Sequence, residues 1–200
     1  MKRICVLIII STVIACSVAK GQTIAAKTNL LYDLTTTINF GLEVGVAPKW
    51  TIELPVNYNP WSFPIDRTKT VNGVTSTERI DRKIKHWLIQ PEGRYWFCEK
   101  FNGHFAGLHG IIGGYNVGGF DFLGLKEDRY QGNVYGAGLA YGYHYILNTH
   151  WSIEGTIGAG VVYLDYKQYE CPVCGALKDE ATTTRFAPTK VGISIIYMIK

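Results

Sequence analysis

The feature that most constrains this chain is an alternation of apolar and polar residues with a period of two, which recurs from about residue 24 to the C-terminus. No segment of helical length carries a 3.6-residue apolar stripe, so the pattern predicts an all-β fold. In residues 151–163, Trp151, Ile153, Ile157, Ala159, Val161 and Tyr163 share one face, while Ser152, Glu154, Thr156, Gly158 and Gly160 share the other. Successive side chains of a strand point to opposite faces, so one face is greasy and the other small or polar. Residues 50–58 repeat this, with Trp50, Ile52, Leu54, Val56 and Tyr58 against Thr51, Glu53, Pro55 and Asn57. Residues 83–97 do so again, with Trp87, Ile89, Pro91, Tyr95 and Phe97 opposed to His86, Gln90, Glu92, Arg94 and Trp96.

Eight such stretches are predicted as strands: 24–34, 38–47, 50–61, 83–97, 103–117, 130–147, 151–166 and 185–199. Their connections alternate. Residues 48–49, 98–102 and 148–150 are short turns, whereas 62–82, 118–129 and 167–184 read as long loops; only 35–37, at the long-loop end, is short. Short turns at one end and long loops at the other predict an eight-stranded antiparallel up-and-down transmembrane β-barrel. Aromatic residues such as Tyr32, Trp50, Tyr95, Tyr143, Trp151 and Tyr197 fall toward strand ends on the greasy face, where amphipathic rings settle at a membrane interface.

A soluble lipocalin-like barrel would alternate in the same way but turn its large apolar residues inward, and alternation alone does not choose the face. Two features favour the membrane version. The polar face is rich in glycine, as at Gly132, Gly136, Gly138 and Gly142, which suits a narrow lumen. The last strand, from Lys190 and Gly192 to Ile195 and Tyr197, resembles the C-terminal signal of outer-membrane barrels, although Lys200 and not an aromatic residue closes the chain.

With the apolar face toward lipid, Lys27, Asn29, Glu43, Glu53, Asn57, Gln90, Glu92, Arg94, Glu154 and Lys190 face inward. Eight strands enclose a space that side chains just fill. Unpaired charges there are costly, so Lys27, Glu43, Glu53, Glu92, Arg94, Glu154 and Lys190 are predicted to form an ion-pair network that plugs the lumen. The diameter argues against a gated conduction path.

The first residues read as an export signal: Met1, Lys2 and Arg3 are a basic start, 4–15 is an apolar run, and small residues precede Gln22. Residues 1–21 are therefore expected to be a signal peptide and 22–200 the barrel domain. Cys16 after Ala15 also loosely resembles a lipobox, which would make it a lipidated N-terminus. The chain carries 20 basic and 16 acidic residues, and setting aside Lys2, Arg3 and Lys20 leaves 17 against 16. No basic field for nucleic acid remains.

A lipid- or glycan-modifying enzyme is the alternative, with His86 or His109 and a carboxylate at the membrane rim; His104, His144, Ser62 and Ser152 are further candidates. No Gly-x-Ser-x-Gly element is present, and the run from Gly113 to Gly119 lacks the helix and Lys of a phosphate loop. No catalytic residue, cofactor or metal is therefore expected. Cys171 and Cys174 are spaced like half of a zinc knuckle, but no second pair exists; a local disulfide in an exposed loop is the expectation for an exported chain.

Several blocks carry a resemblance that spans nearly all of the chain after residue 21. They are 27–33 (KTNLLYD), 57–61 (NYNPW), 85–92 (KHWLIQPE), 94–98 (RYWFC), 130–132 (YQG) and 187–190 (APTK). They resemble a family built on a domain of unknown function in Gram-negative gut and oral anaerobes, similar to small outer-membrane barrels and often encoded beside fimbrial subunits. The resemblance implies a setting in the outer membrane, with lipid and possible fimbrial or other surface proteins as partners. Together these readings give the expectation of a non-enzymatic outer-membrane barrel with a plugged lumen, acting through its outer loops in surface structure or fimbria biogenesis.

Overall fold

The computed structural model describes residues 23–71, 74–120, 125–170 and 177–199. In chain order the elements are β1 (Ile24–Asn29), α1 (Leu30–Leu34), β2 (Ile38–Ala47), β3 (Trp50–Asn59), β4 (Ser62–Val71), β5 (Val74–Ile89), β6 (Glu92–Trp96), β7 (Gly103–Phe120), β8 (Leu125–Ile146), β9 (Trp151–Glu170) and β10 (Leu177–Met198). All pairings are antiparallel, and the ladder from β1 through β3, β6 and β7 to β10 returns to β1, where Ala25 faces Met198 and Asn29 faces Ser194.

The ring has eight strands because two of them are interrupted. β3 and β4 follow one register against β5, with Asn59 opposite His86 and Ser62 opposite Lys83, so Pro60 and Trp61 interrupt one continuous strand. β5 and β6 likewise form one strand, broken at Gln90 and Pro91, where the proline ring removes a backbone donor.

The structure corrects the expected strand limits. The described parts of 62–82, 118–129 and 167–184 are not free loops. Over most of their length they continue the ladder as hairpins, from Ser62 opposite Lys83 to Val71 opposite Val74, and from Arg185 opposite Val162 to Leu177 opposite Tyr169. Threonine recurs in the first and last of these stretches, at Thr68, Thr70, Thr75 and Thr77 and at Thr182, Thr183 and Thr184, and its β-propensity suits strands that have no core to pack on. The expected strand 24–34 ends at Asn29, whose side chain accepts from Leu31 N–H and starts the single helical turn of α1. Tyr32, expected to face outward, instead lines a small cavity with the inward-facing Lys27, Asn57 and Gln90.

The polarity of the ring is the reverse of a water-soluble protein. Leu139 is 69% exposed, Ile157 64% and Leu108 63%, while Arg94 and Glu43 are fully buried. Several inward-facing glycines make room for a large neighbour. A Cβ on Gly142 would lie 2.3 Å from the Phe105 ring, one on Gly138 2.8 Å from His109 Nε2, and one on Gly107 2.1 Å from Glu92 Oε1. The glycine-rich inner face is therefore the counterpart of a tightly filled interior.

Candidate functional site

The interior is layered. At its middle, Arg94 on β6 reaches four carboxylates from four strands. Its Nε donates to Glu92 Oε1 at 3.0 Å, its Nη1 donates to Glu43 Oε2 at 3.0 Å and to Glu154 Oε1 at 3.1 Å, and Nη2 meets Glu53. Lys27 Nζ binds Glu154 Oε2 at 2.9 Å and also contacts Glu43. Lys190 Nζ binds Glu53 Oε2 at 3.1 Å and meets Glu92. Thr51 donates to Glu43, and Thr156 donates to Glu154 Oε1 at 3.1 Å. All seven predicted network residues thus meet in one cluster. It ties β1 and β10, the two strands that close the ring, to β2, β3, β6 and β9.

Below the charges lies an apolar floor, of which alternation disclosed only Trp96. Trp96, Phe105 and Phe101 pack with ring centres 4.9 and 5.7 Å apart, joined by Ala25 and Ile196. Phe101 holds a left-handed backbone, φ 61°, as does Gly103, φ 77°, so the turn before β7 folds back beneath the ring of strands. Trp96 Nε1 donates to Thr51 Oγ1 at 2.9 Å, which satisfies the only donor of the indole in this layer. The sequence signal for Phe105 is its parity with the buried His109 on β7.

The histidines weighed for rim chemistry are dispersed. His109 is 1% exposed, and its Nε2 lies 2.9 Å from Thr189 Oγ1 inside the ring. His144 is also interior, with Nδ1 3.5 Å from Glu154 Oε2 and its ring against Trp96. His86 Nδ1 contacts the carbonyl of Ile84 on its own strand at 3.1 Å. His104 accepts or donates to the Tyr141 hydroxyl at 2.7 Å on the outer face. Ser152 Oγ is buried without a hydrogen-bond partner among the described residues. Cys171 and Cys174 lie outside the described residues, as do 1–22; Cys98 is a free, exposed thiol.

Outside, the short-turn end carries a belt of aromatic contacts. Trp50 packs edge-on to Tyr95 at 5.2 Å, Trp151 to Tyr197 at 5.0 Å, and His104 tilts on Tyr143 at 4.5 Å. Twelve residues along β9 separate Trp151 from Tyr163, which sits next to Tyr135.

The fold and site define an all-β, antiparallel up-and-down ring of eight strands with an apolar exterior and a charged, filled interior. The chain belongs to a family described as a protein of unknown function (DUF3575), whose pattern matches residues 5–199. No curated protein and no solved structure matches the chain.

Proposed function

We propose that this chain is an outer-membrane β-barrel with a closed lumen, a structural or interaction protein whose outer hairpins help build or anchor a surface structure. The observation that carries the reading is the inverted polarity. Large apolar side chains exposed all around a ring with a charged interior are stable where the surroundings are lipid, and a lipocalin-like carrier would turn them inward. The twelve residues between Trp151 and Tyr163 correspond to about 40 Å along the strand, and to about 30 Å when the strand tilts at roughly 40°, which matches a bilayer core.

The filled lumen leaves the outer hairpins to carry activity. Because β1 and β2 are short, the strands that continue upward form an open sheet with two edges. From Leu177 to Ile193, β10 pairs with β9 alone, and β4 pairs with β5 alone. An edge of unpaired backbone groups can accept an extended segment of another polypeptide. The β4 side is guarded by Pro60 and Pro64, whereas residues 177–187 of β10 contain no proline. Fimbriae are the surface structure that the family resemblance suggests.

The test shortens the β4–β5 hairpin by removing residues 66–79, and separately replaces Thr183 by Pro. The account predicts a protein that still folds in the membrane while surface-fibre attachment or partner capture falls in at least one variant. Unchanged attachment in both would remove the role assigned to the hairpins.

A further inference from the structure

A cavity of about 510 Å³ opens at the outer end of the ring, lined by two in-register rows of exterior side chains and, between them, by His86, Tyr115 and Gly132 of the opposite face. The lower row crosses four strands through Trp87, Gly114, Asn133 and Asp165. The upper row, two residues further out, runs through Lys85, Asn116, Gln131 and Lys167. Trp87, Asn133, Gln131 and Lys167 are all exposed, so both rows share the face that carries the apolar band.

The chemistry of the rows is graded. Gly114 lacks the side chain that would fill the recess, and the Trp87 indole leans over it; a Cβ there would lie 2.6 Å from Trp87 Nε1. Below it the surface is aromatic and aliphatic. Level with it stand the Asn133 amide and the Asp165 carboxylate, and above it the amides of Asn116 and Gln131 stand between Lys85 and Lys167. Among the described residues the Asn116 Oδ1 atom is buried without a hydrogen-bond partner, and a buried acceptor left unpaired is costly. Lys167 pairs with Glu180 at 3.2 Å, but both side chains are about half exposed, so the pair is weak and readily exchanged.

We propose that this cavity holds the phosphorylated sugar headgroup of an outer-leaflet glycolipid. The acyl chains follow the apolar band below Trp87, sugar hydroxyls donate to Asn116 Oδ1 and meet the other amides, and the phosphates lie at the two ends of the upper row, beside Lys85 and Lys167. This rests on the membrane reading proposed above.

The test uses the full mature protein refolded in dodecyl maltoside, with folding verified first by heat-modifiable gel mobility. Added diphosphorylated lipid A is expected to raise the unfolding temperature, and the dephosphorylated lipid to do so much less. The double variant Lys85→Ala/Lys167→Ala should bind the diphosphorylated form at least about tenfold more weakly, as should the charge reversal Lys85→Glu/Lys167→Glu. A folded wild-type protein with no shift, equal binding by the variants, or an equal shift with inorganic phosphate alone overturns the glycolipid site. Failure of the gel-mobility control contradicts the membrane reading instead.

Discussion

The guanidinium carbon of Arg94 stands 4.4 Å above the centre of the Phe105 ring, at the boundary between the charged layer and the apolar floor. One face of the cation is thus covered by a π-system while its edges are taken by four carboxylates, an arrangement open to arginine and not to a point charge. Arg94→Met leaves four buried carboxylates with two cations. The expected loss is about 3–5 kcal/mol or failure to fold, read from urea unfolding of the refolded protein. Arg94→Lys should recover only part of it.

The cluster holds three cations, Lys27, Arg94 and Lys190, and four carboxylates, Glu43, Glu53, Glu92 and Glu154, so the formal charges of these seven residues leave one negative charge in excess. Neutralising a cation deepens the imbalance and neutralising a carboxylate relieves it. Lys27→Met is therefore expected to cost at least about 2 kcal/mol more than Glu154→Gln in the same unfolding assay. Equal costs, or the reverse order, would contradict the network as drawn.

Gly107 and Gly93 lie on neighbouring strands one position out of register, Gly107 opposite Arg94 and Gly93 opposite Leu108. A Cβ on Gly107 would overlap Glu92, which Arg94 and Lys190 hold in place, whereas nothing lies within 4 Å of a Cβ on Gly93. Gly107→Ala should destabilise by about 1–3 kcal/mol and Gly93→Ala by much less. Unfolding curves of the two variants decide this.

The outer face makes its own prediction. Leu139→Lys and Ile157→Lys place a charge at mid-height on the exposed apolar band, at about 2–4 kcal/mol each in a bilayer. Leu34→Lys, on the exposed helical turn, should be neutral. Refolding yield in lipid vesicles separates the readings, because a water-exposed exterior would welcome all three.

Much of this was legible from period-two alternation, because one register choice assigns every side chain of a strand at once. Lys27, Glu92, Arg94 and Glu154 could be grouped before their contacts were seen. The hairpin extensions were not legible, since residues 62–71, 74–82, 167–170 and 177–184 lack a sustained alternation and look like loops while pairing as strands. Neither was the floor: Phe101 and Phe105 are apolar in a polar interior, and only their position at the closed end explains them. The histidines misled for a related reason. His109 and His144 read as surface chemistry, whereas their parity with Glu92 and Glu154 places them inside.

The central claim is that the apolar exterior faces lipid around a closed ring. Heat-modifiable mobility of the mature protein, taken from the outer-membrane fraction and run boiled and unboiled, tests it most directly. The account predicts a compact, faster-migrating band without boiling that shifts on heating. A single unshifted band, with the protein soluble after export, would contradict it.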